Sequence, residues 1–294
     1  MKLLTMVPSA NTLGEGPLWN EQDGKLWWTD IHECRLHRLT LAGGAVETAE
    51  TPERLCSFAF LPGGGSRILA AFETGLAYFD IDTKAVEWIA RIEKKGSGRR
   101  FNDGKTDRQG RFWVGSMVEN EAIAGEDTGA LFSLEPNGEL IPHAVGVAIS
   151  NSLCTSPDGK TLYFADTPKQ VIFAFDLDTE TGYISNKRFF AEVTEGYPDG
   201  AETDCEGCLW SARWGAGEVV RHAPDGAVME KVKVPAGQVT SIAFGGPDLK
   251  TLFVTSAREG LDAAALAQDP GAGNLFIFES DVAGLPSVPF TPDK

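Results

Sequence analysis

Arg100 to Met117 reads RFNDGKTDRQGRFWVGSM. The front half, RFNDGK, is dense in polar groups. The back half, GRFWVGSM, is an alternating apolar strand behind a turn. A segment built this way sets a functional edge beside a core edge. The form recurs along the chain: DGKLWWTD from Asp23, GSRILAAF from Gly65, QGRFWVGS from Gln109, DGKTLYFAD from Asp158, EGCLWSARW from Glu206 and DLKTLFVTS from Asp248. With Leu26, Ile68, Phe112, Leu162, Leu209 and Leu252 as anchors, the spacings are 42, 44, 50, 47 and 43 residues. A period of about 45 residues fits one four-stranded propeller blade.

The rest of each unit agrees. A further strand pattern follows each anchor, as in RLHRLTL, GLAYFDI and QVIFAFDLD, and most units add a weaker fourth, as in AVEWIARI. No segment shows sustained helical periodicity; Leu261 to Gln268 could form one short helix in a loop. The expected architecture is therefore all-β: a six-bladed β-propeller with four-stranded blades around a central channel, spanning residues 1–294 as a single domain. Residues near the two termini are expected to complete one blade, which closes the ring and removes sheet edges.

Composition narrows the function. The chain has 294 residues and a formal net charge of −16, which repels phosphate backbones and argues against a nucleic-acid partner. It has no apolar run long enough to span a membrane, and its apolar start, cut by Pro8, is too short for a signal-peptide core. A cytoplasmic, monomeric protein is the expectation. The odd set Cys34, Cys56, Cys154, Cys205 and Cys208 argues against a disulfide framework, and Cys205-Glu-Gly-Cys208 lacks the second pair a structural zinc needs. No nucleophile elbow or phosphate-binding glycine loop is present. His32, His37, His143 and His222 are scattered through outer strands and loops and read as structural; the blade-strand tryptophans read as packing.

Another strand pattern precedes each anchor, and the first strand of a propeller blade lines the channel. Counting back 10 or 11 residues from the anchors gives Glu15, Ser57, Asn102, Asn151, Asp199 and Ser241, all polar and at one register. They should form a ring at one channel mouth. Converging carboxylates resist burial unless a cation joins them, and oxygen donors suit hard divalent ions. For a lone Asn or Ser, a hydrogen bond to channel water or backbone is the simpler explanation. Glu15 and Asp199 together favour a metal. Gly14, Gly16, Gly104 and Gly200 beside the ring allow tight turns and close approach, or are ordinary strand-entry glycines.

Four motifs in order, LGEGPLW, RFNDGKTDRQGRFWVGSM, ISNSL and YPDGAETD, resemble the senescence marker protein 30/gluconolactonase/luciferin-regenerating enzyme family of regucalcin-like sugar lactonases. The resemblance spans almost the whole chain. It implies one divalent metal ion (Ca2+, Zn2+, Mn2+ or Mg2+) held by Glu15, Asn151 and Asp199. It also implies substrate contacts from Arg100 and Asn102, and an acidic contact just after the GSM motif. Direct counting puts Asn120 at that position, between Glu119 and Glu121, so the contact falls to one of these three. The implied chemistry is metal-assisted hydrolysis of an aldonolactone such as glucono-, galactono- or arabinonolactone. Asp199 would serve as ligand and general base, with Arg100 and Asn102 orienting the sugar. The rivals are an esterase or phosphotriesterase on the same scaffold and a non-catalytic calcium-binding propeller.

Overall fold

A computed structural model describes residues 1–41 and 43–293. Six four-stranded antiparallel sheets form the body. Blade 1 comprises Gly14–Asn20, Lys25–Asp30, Arg35–Thr40 and Glu47–Glu50; blade 2 comprises Leu55–Phe60, Arg67–Phe72, Gly75–Asp80 and Val86–Arg91. Blade 3 comprises Arg99–Thr106, Phe112–Val118, Gly129–Leu134 and Leu140–Val147; blade 4 comprises Ser150–Thr155, Thr161–Asp166, Val171–Leu177 and Ile184–Glu192. Blade 5 comprises Tyr197–Thr203, Leu209–Trp214, Glu218–His222 and Val228–Lys233. Blade 6 comprises Val239–Gly245, Thr251–Ser256 and Leu275–Glu279, and takes its outermost strand, Lys2–Val7, from the start of the chain. The first strands pack side by side in ring order, with blade 6 against blade 1, so the structure is the six-bladed propeller that the repeat predicts. Among the described residues no helix is long and apolar enough to cross a membrane. The short helix expected within Leu261–Gln268 is Ala263–Gln268.

The recurrent turn-then-apolar pattern has a physical basis. In blade 3 the Asp107 carboxylate accepts the backbone N–H groups of Gln109 and Arg111 and the indole N–H of Trp113. In blade 5 Asp204 does the same for Glu206, Cys208 and Trp210. One carboxylate thus shapes the turn and fixes the aromatic ring that fills the space between blades. Trp27, Trp28, Trp113 and Trp210 are all fully buried, as packing residues should be. Hydroxyls tie neighbouring blades: Thr29 donates to the Leu55 carbonyl (2.7 Å) and Thr203 to the Thr155 carbonyl (2.7 Å).

The segment 281–293 has no regular secondary structure, yet it is fastened to several blades. Arg108 Nη1 donates to the Pro286 carbonyl (2.8 Å), Phe290 N to the Phe60 carbonyl (2.9 Å) and Asp293 N to the Pro136 carbonyl (2.8 Å). Thr106 Oγ1 bonds the Val288 carbonyl. Thr106 and Phe60 lie at the ends of first strands, whereas the ring residues sit near strand starts. The segment therefore crosses the channel mouth opposite the ring. Phe290 is fully buried there, in a cluster with Leu69, Phe101 and Phe112. Phe290→Ala is expected to lower stability by about 3–5 kcal/mol, the usual cost of emptying a buried phenylalanine site. Urea denaturation checks this; an unchanged midpoint would show that the segment is not a structural member.

Candidate active site at the channel mouth

Each of the six first strands breaks register with its neighbour beside the ring position: between Glu15 and Leu18, Leu55 and Ser57, Phe101 and Gly104, Asn151 and Cys154, Pro198 and Ala201, and Val239 and Ile242. Such irregularities re-aim side chains and increase local twist. The backbone at Gly16 (φ 53°) and Ser152 (φ 58°) is left-handed, immediately after Glu15 and Asn151. For Ser152 this conformation is strained. Its hydroxyl is held by a 2.6 Å bond to the Asp199 carbonyl, which couples blades 4 and 5. Asp30 accepts the N–H groups of Thr12 and Leu13, just before Glu15, and Asp166 accepts those of Ala148 and Ile149, just before Asn151. In blades 1 and 4 the end of the second strand thereby fixes the approach to the ring residue on the first.

The ring divides. Glu15, Asn102, Asn151 and Asp199 line one cleft of about 600 Å³, together with Arg100 and Glu119. Ser57 and Ser241 are buried and do not line it. A Cβ on Gly104 would lie 2.7 Å from Ser57 Oγ, and one on Gly200 would lie 2.1 Å from Ser241 Oγ. Those glycines are required by the neighbouring strand's serine rather than by a ligand.

The donor set is all oxygen. Asn151 Nδ2 donates to Thr167 Oγ1 (2.8 Å), and Thr167 Oγ1 donates to the Pro198 carbonyl (2.9 Å). That fixes the amide so that Oδ1 is the acceptor side of Asn151; Asn102 Nδ2 donates to it (3.1 Å), which leaves its second lone pair. Glu15 and Asp199 are both buried and both hold protons more tightly than ordinary carboxyls. Burial is the largest cause for each; repulsion from Asp103 adds to it for Glu15, and repulsion from Glu15 and then Asp103 for Asp199. Two buried carboxylates that repel one another beside a carboxamide oxygen fit a hard divalent cation. Among the described residues no three His, Cys, Asp or Glu side chains converge on a metal-sized site, so two acids and an amide are the available set. Cys205 and Cys208 carry free thiols.

Arg100 is 3% exposed and sits at the centre of a charge network. Its Nε donates to Glu119 Oε1 (2.8 Å), and its Nη1 donates to Asn102 Oδ1 (2.6 Å) and to the Phe101 carbonyl (3.0 Å). Arg54 grips Glu119 through Nη1 and Nη2 (2.8 and 2.9 Å) and donates from Nε to Glu73 (2.7 Å). Burial alone would raise the Glu119 pKa; the Arg54 bonds and the Arg100 charge outweigh it and hold the group down at about 2. Asn120 is exposed at the start of the helix Glu121–Ala124, and neither it nor Glu121 lines the cleft. Of the three candidates after the GSM motif, Glu119 is the one beside Arg100. Sequence reasoning missed Arg54, Thr167 and the cleft residue Glu259, which lie outside the motifs.

The family model for the SMP-30/gluconolactonase/LRE-like region matches residues 13–258. The chain belongs to this family. It is 36% identical to 6-deoxy-6-sulfogluconolactonase from Pseudomonas putida, over 96% of each chain. It is 37% identical to L-arabinolactonase from Azospirillum brasilense, over 97% of this chain and 94% of that one. The crystal structure of regucalcin from Agrobacterium tumefaciens, described as a calcium-binding protein, superposes with a TM-score of 0.91 at 33% identity, covering 98% of this chain and 97% of that one. The matched region of this SMP-30/gluconolactonase/LRE-like chain contains Glu15, Arg100, Asn102, Asn151 and Asp199.

The network makes a pH-dependent prediction. Glu119 ionises at about 2 in the folded chain, against an ordinary value of 4.5, so its ion pairs stabilise the fold above pH 4.5 and are lost as pH falls toward 2. Glu119→Gln strands the buried Arg100. It should cost on the order of 3 kcal/mol at neutral pH, with the margin to the native protein shrinking steadily below pH 4.5. Urea denaturation at several pH values measures this; a margin independent of pH contradicts the ion-pair assignment.

Proposed function

We propose that this protein hydrolyses sugar lactones with the help of one divalent metal ion. The observation that carries the reading is the meeting of two proton-avid buried carboxylates, a fixed carboxamide oxygen and a buried arginine in one open cleft. The lactonase names of the relatives support it. Glu15, Asn151 and Asp199 would hold the ion, which when bound supplies a Lewis acid for the lactone carbonyl.

The chain's own residues account for the remaining steps. Arg100 presents positive charge to the sugar, and Asn102, whose amide hydrogens go to the Ser150 carbonyl and Asn151 Oδ1, contributes its Oδ1 face and holds the arginine in place. The Glu119 and Arg54 contacts hold Arg100 still, so little entropy is lost on binding. Arg100 therefore has a structural role besides substrate binding, since it also balances the Glu119 charge. Leu13, Met117, Ile149 and Trp214 offer apolar wall suited to the C–H faces of a sugar ring. Val118 and Pro168 extend that wall, while the polar groups Glu15, Arg100, Asn102, Asn151 and Asp199 gather on one side of the cleft, where the hydroxyls and carbonyl of a lactone would meet them.

Asp199 is suited to act as the base because burial and repulsion raise its proton affinity. It takes one proton from the attacking water as the water oxygen bonds to the carbonyl carbon. It returns that proton to the ring oxygen as the acyl C–O bond breaks. The product is an open-chain hydroxy acid, whose carboxyl then ionises. Acid release from a panel of aldonolactones, above the spontaneous rate, tests the proposal. Turnover should require Ca2+, Mn2+, Mg2+ or Zn2+, stop on chelation, and be absent in Asp199→Asn even at saturating metal. Native protein that binds the ion yet never exceeds the background rate would refute the lactonase reading in favour of a calcium-binding propeller.

A further inference from the structure

Blades 3 and 6 face one another across the six-membered ring. Arg100 and Glu119 come from blade 3. Opposite them, Glu259 follows the second strand of blade 6 and lines the same cleft. Glu119 follows the second strand of blade 3, so the two carboxylates are topological counterparts on opposite walls. Their surroundings differ. Glu119 is taken up by two arginines. Glu259 has one oxygen engaged, Oε1, which lies 2.8 Å from His32 Nε2 of blade 1. Among the described residues, its Oε2 makes no hydrogen bond.

The Glu259 backbone is also pinned. Gln238 Nε2 donates to its carbonyl (3.0 Å), and the neighbouring Arg258 N donates to the Thr12 carbonyl (3.0 Å). An ordinary solvated rim carboxylate needs neither a histidine buttress nor an anchored loop. The His32 bond outweighs burial and holds the carboxyl below its usual range, so it is an acceptor at neutral pH.

Resting on the lactonase reading of this cleft, we infer that Glu259 is a specificity-determining residue: its free oxygen accepts hydrogen bonds from hydroxyl groups on the part of the ligand that points away from Arg100. His32 is a positioning residue for that carboxylate. The arrangement selects neutral polyhydroxylated ligands, because an acidic substituent at the blade 6 wall would face an unneutralised carboxylate.

Two readouts test this. The first is calorimetric binding of a non-reacting sugar alcohol to the metal-loaded protein, which needs no turnover. Glu259→Ala should weaken it about tenfold, as for loss of a bond to a charged acceptor. Glu259→Gln, which keeps an acceptor oxygen, and His32→Ala should fall in between. The second is lactone kinetics. Glu259→Ala should raise KM about tenfold on a polyhydroxylated lactone with little change in kcat, and the penalty should shrink on a lactone without hydroxyls. A native protein that shows no lactone turnover defeats the lactonase reading, and the sugar-alcohol measurement then still decides the role of Glu259. Sugar-alcohol binding that is absent in the native protein, or equal in native and Glu259→Ala protein, overturns the inference.

Discussion

Six strands converging on one axis must share a space too narrow for six large side chains at one level. That crowding governs the rest of the site. Two ring positions are serine, and each presses against a glycine on an adjacent first strand: Ser57 against Gly104, and Ser241 against Gly200. Yielding there leaves room for Glu15, Asn102, Asn151 and Asp199 to reach the cleft. The register breaks in every first strand turn those side chains inward.

Crowding carboxylates together is costly, and the structure offsets the cost only in part. Glu15 and Asp199 are raised in proton affinity, which measures how poorly this protein alone supports two negative charges there. On the neighbouring wall the opposite treatment is given to Glu119, whose charge is secured by Arg54 and Arg100. A site with one satisfied and one unsatisfied set of carboxylates has a clear division of labour. The satisfied set fixes geometry, and the unsatisfied set is available to a cation and to protons.

Much of this was legible in the sequence because a propeller repeats one unit. The anchors Leu26 through Leu252 could be aligned, and counting back from them put Glu15, Asn102, Asn151 and Asp199 at one register, where the structure also has them. Ser57 and Ser241 share the register but not the cleft, since a short side chain pressed against a neighbouring strand does not reach it. Residues outside the repeat left no periodic trace. The segment 281–293 crosses the far mouth through contacts with residues distant in sequence, and Glu259 sits in a loop peculiar to blade 6. The ion pairs around Arg100 likewise depend on Arg54, 65 residues before Glu119, a proximity that only the fold creates. Motif counting pointed to Asn120, whereas the side chain beside Arg100 is that of Glu119.

The central claim is that Glu15, Asn151 and Asp199 form one divalent-cation site in the floor of the cleft. Crystals grown with Mn2+ and measured for anomalous scattering test it most directly. The account predicts a single strong peak with oxygen atoms of all three side chains within about 2–2.6 Å. A peak bound elsewhere, or no peak at these three side chains, would contradict it.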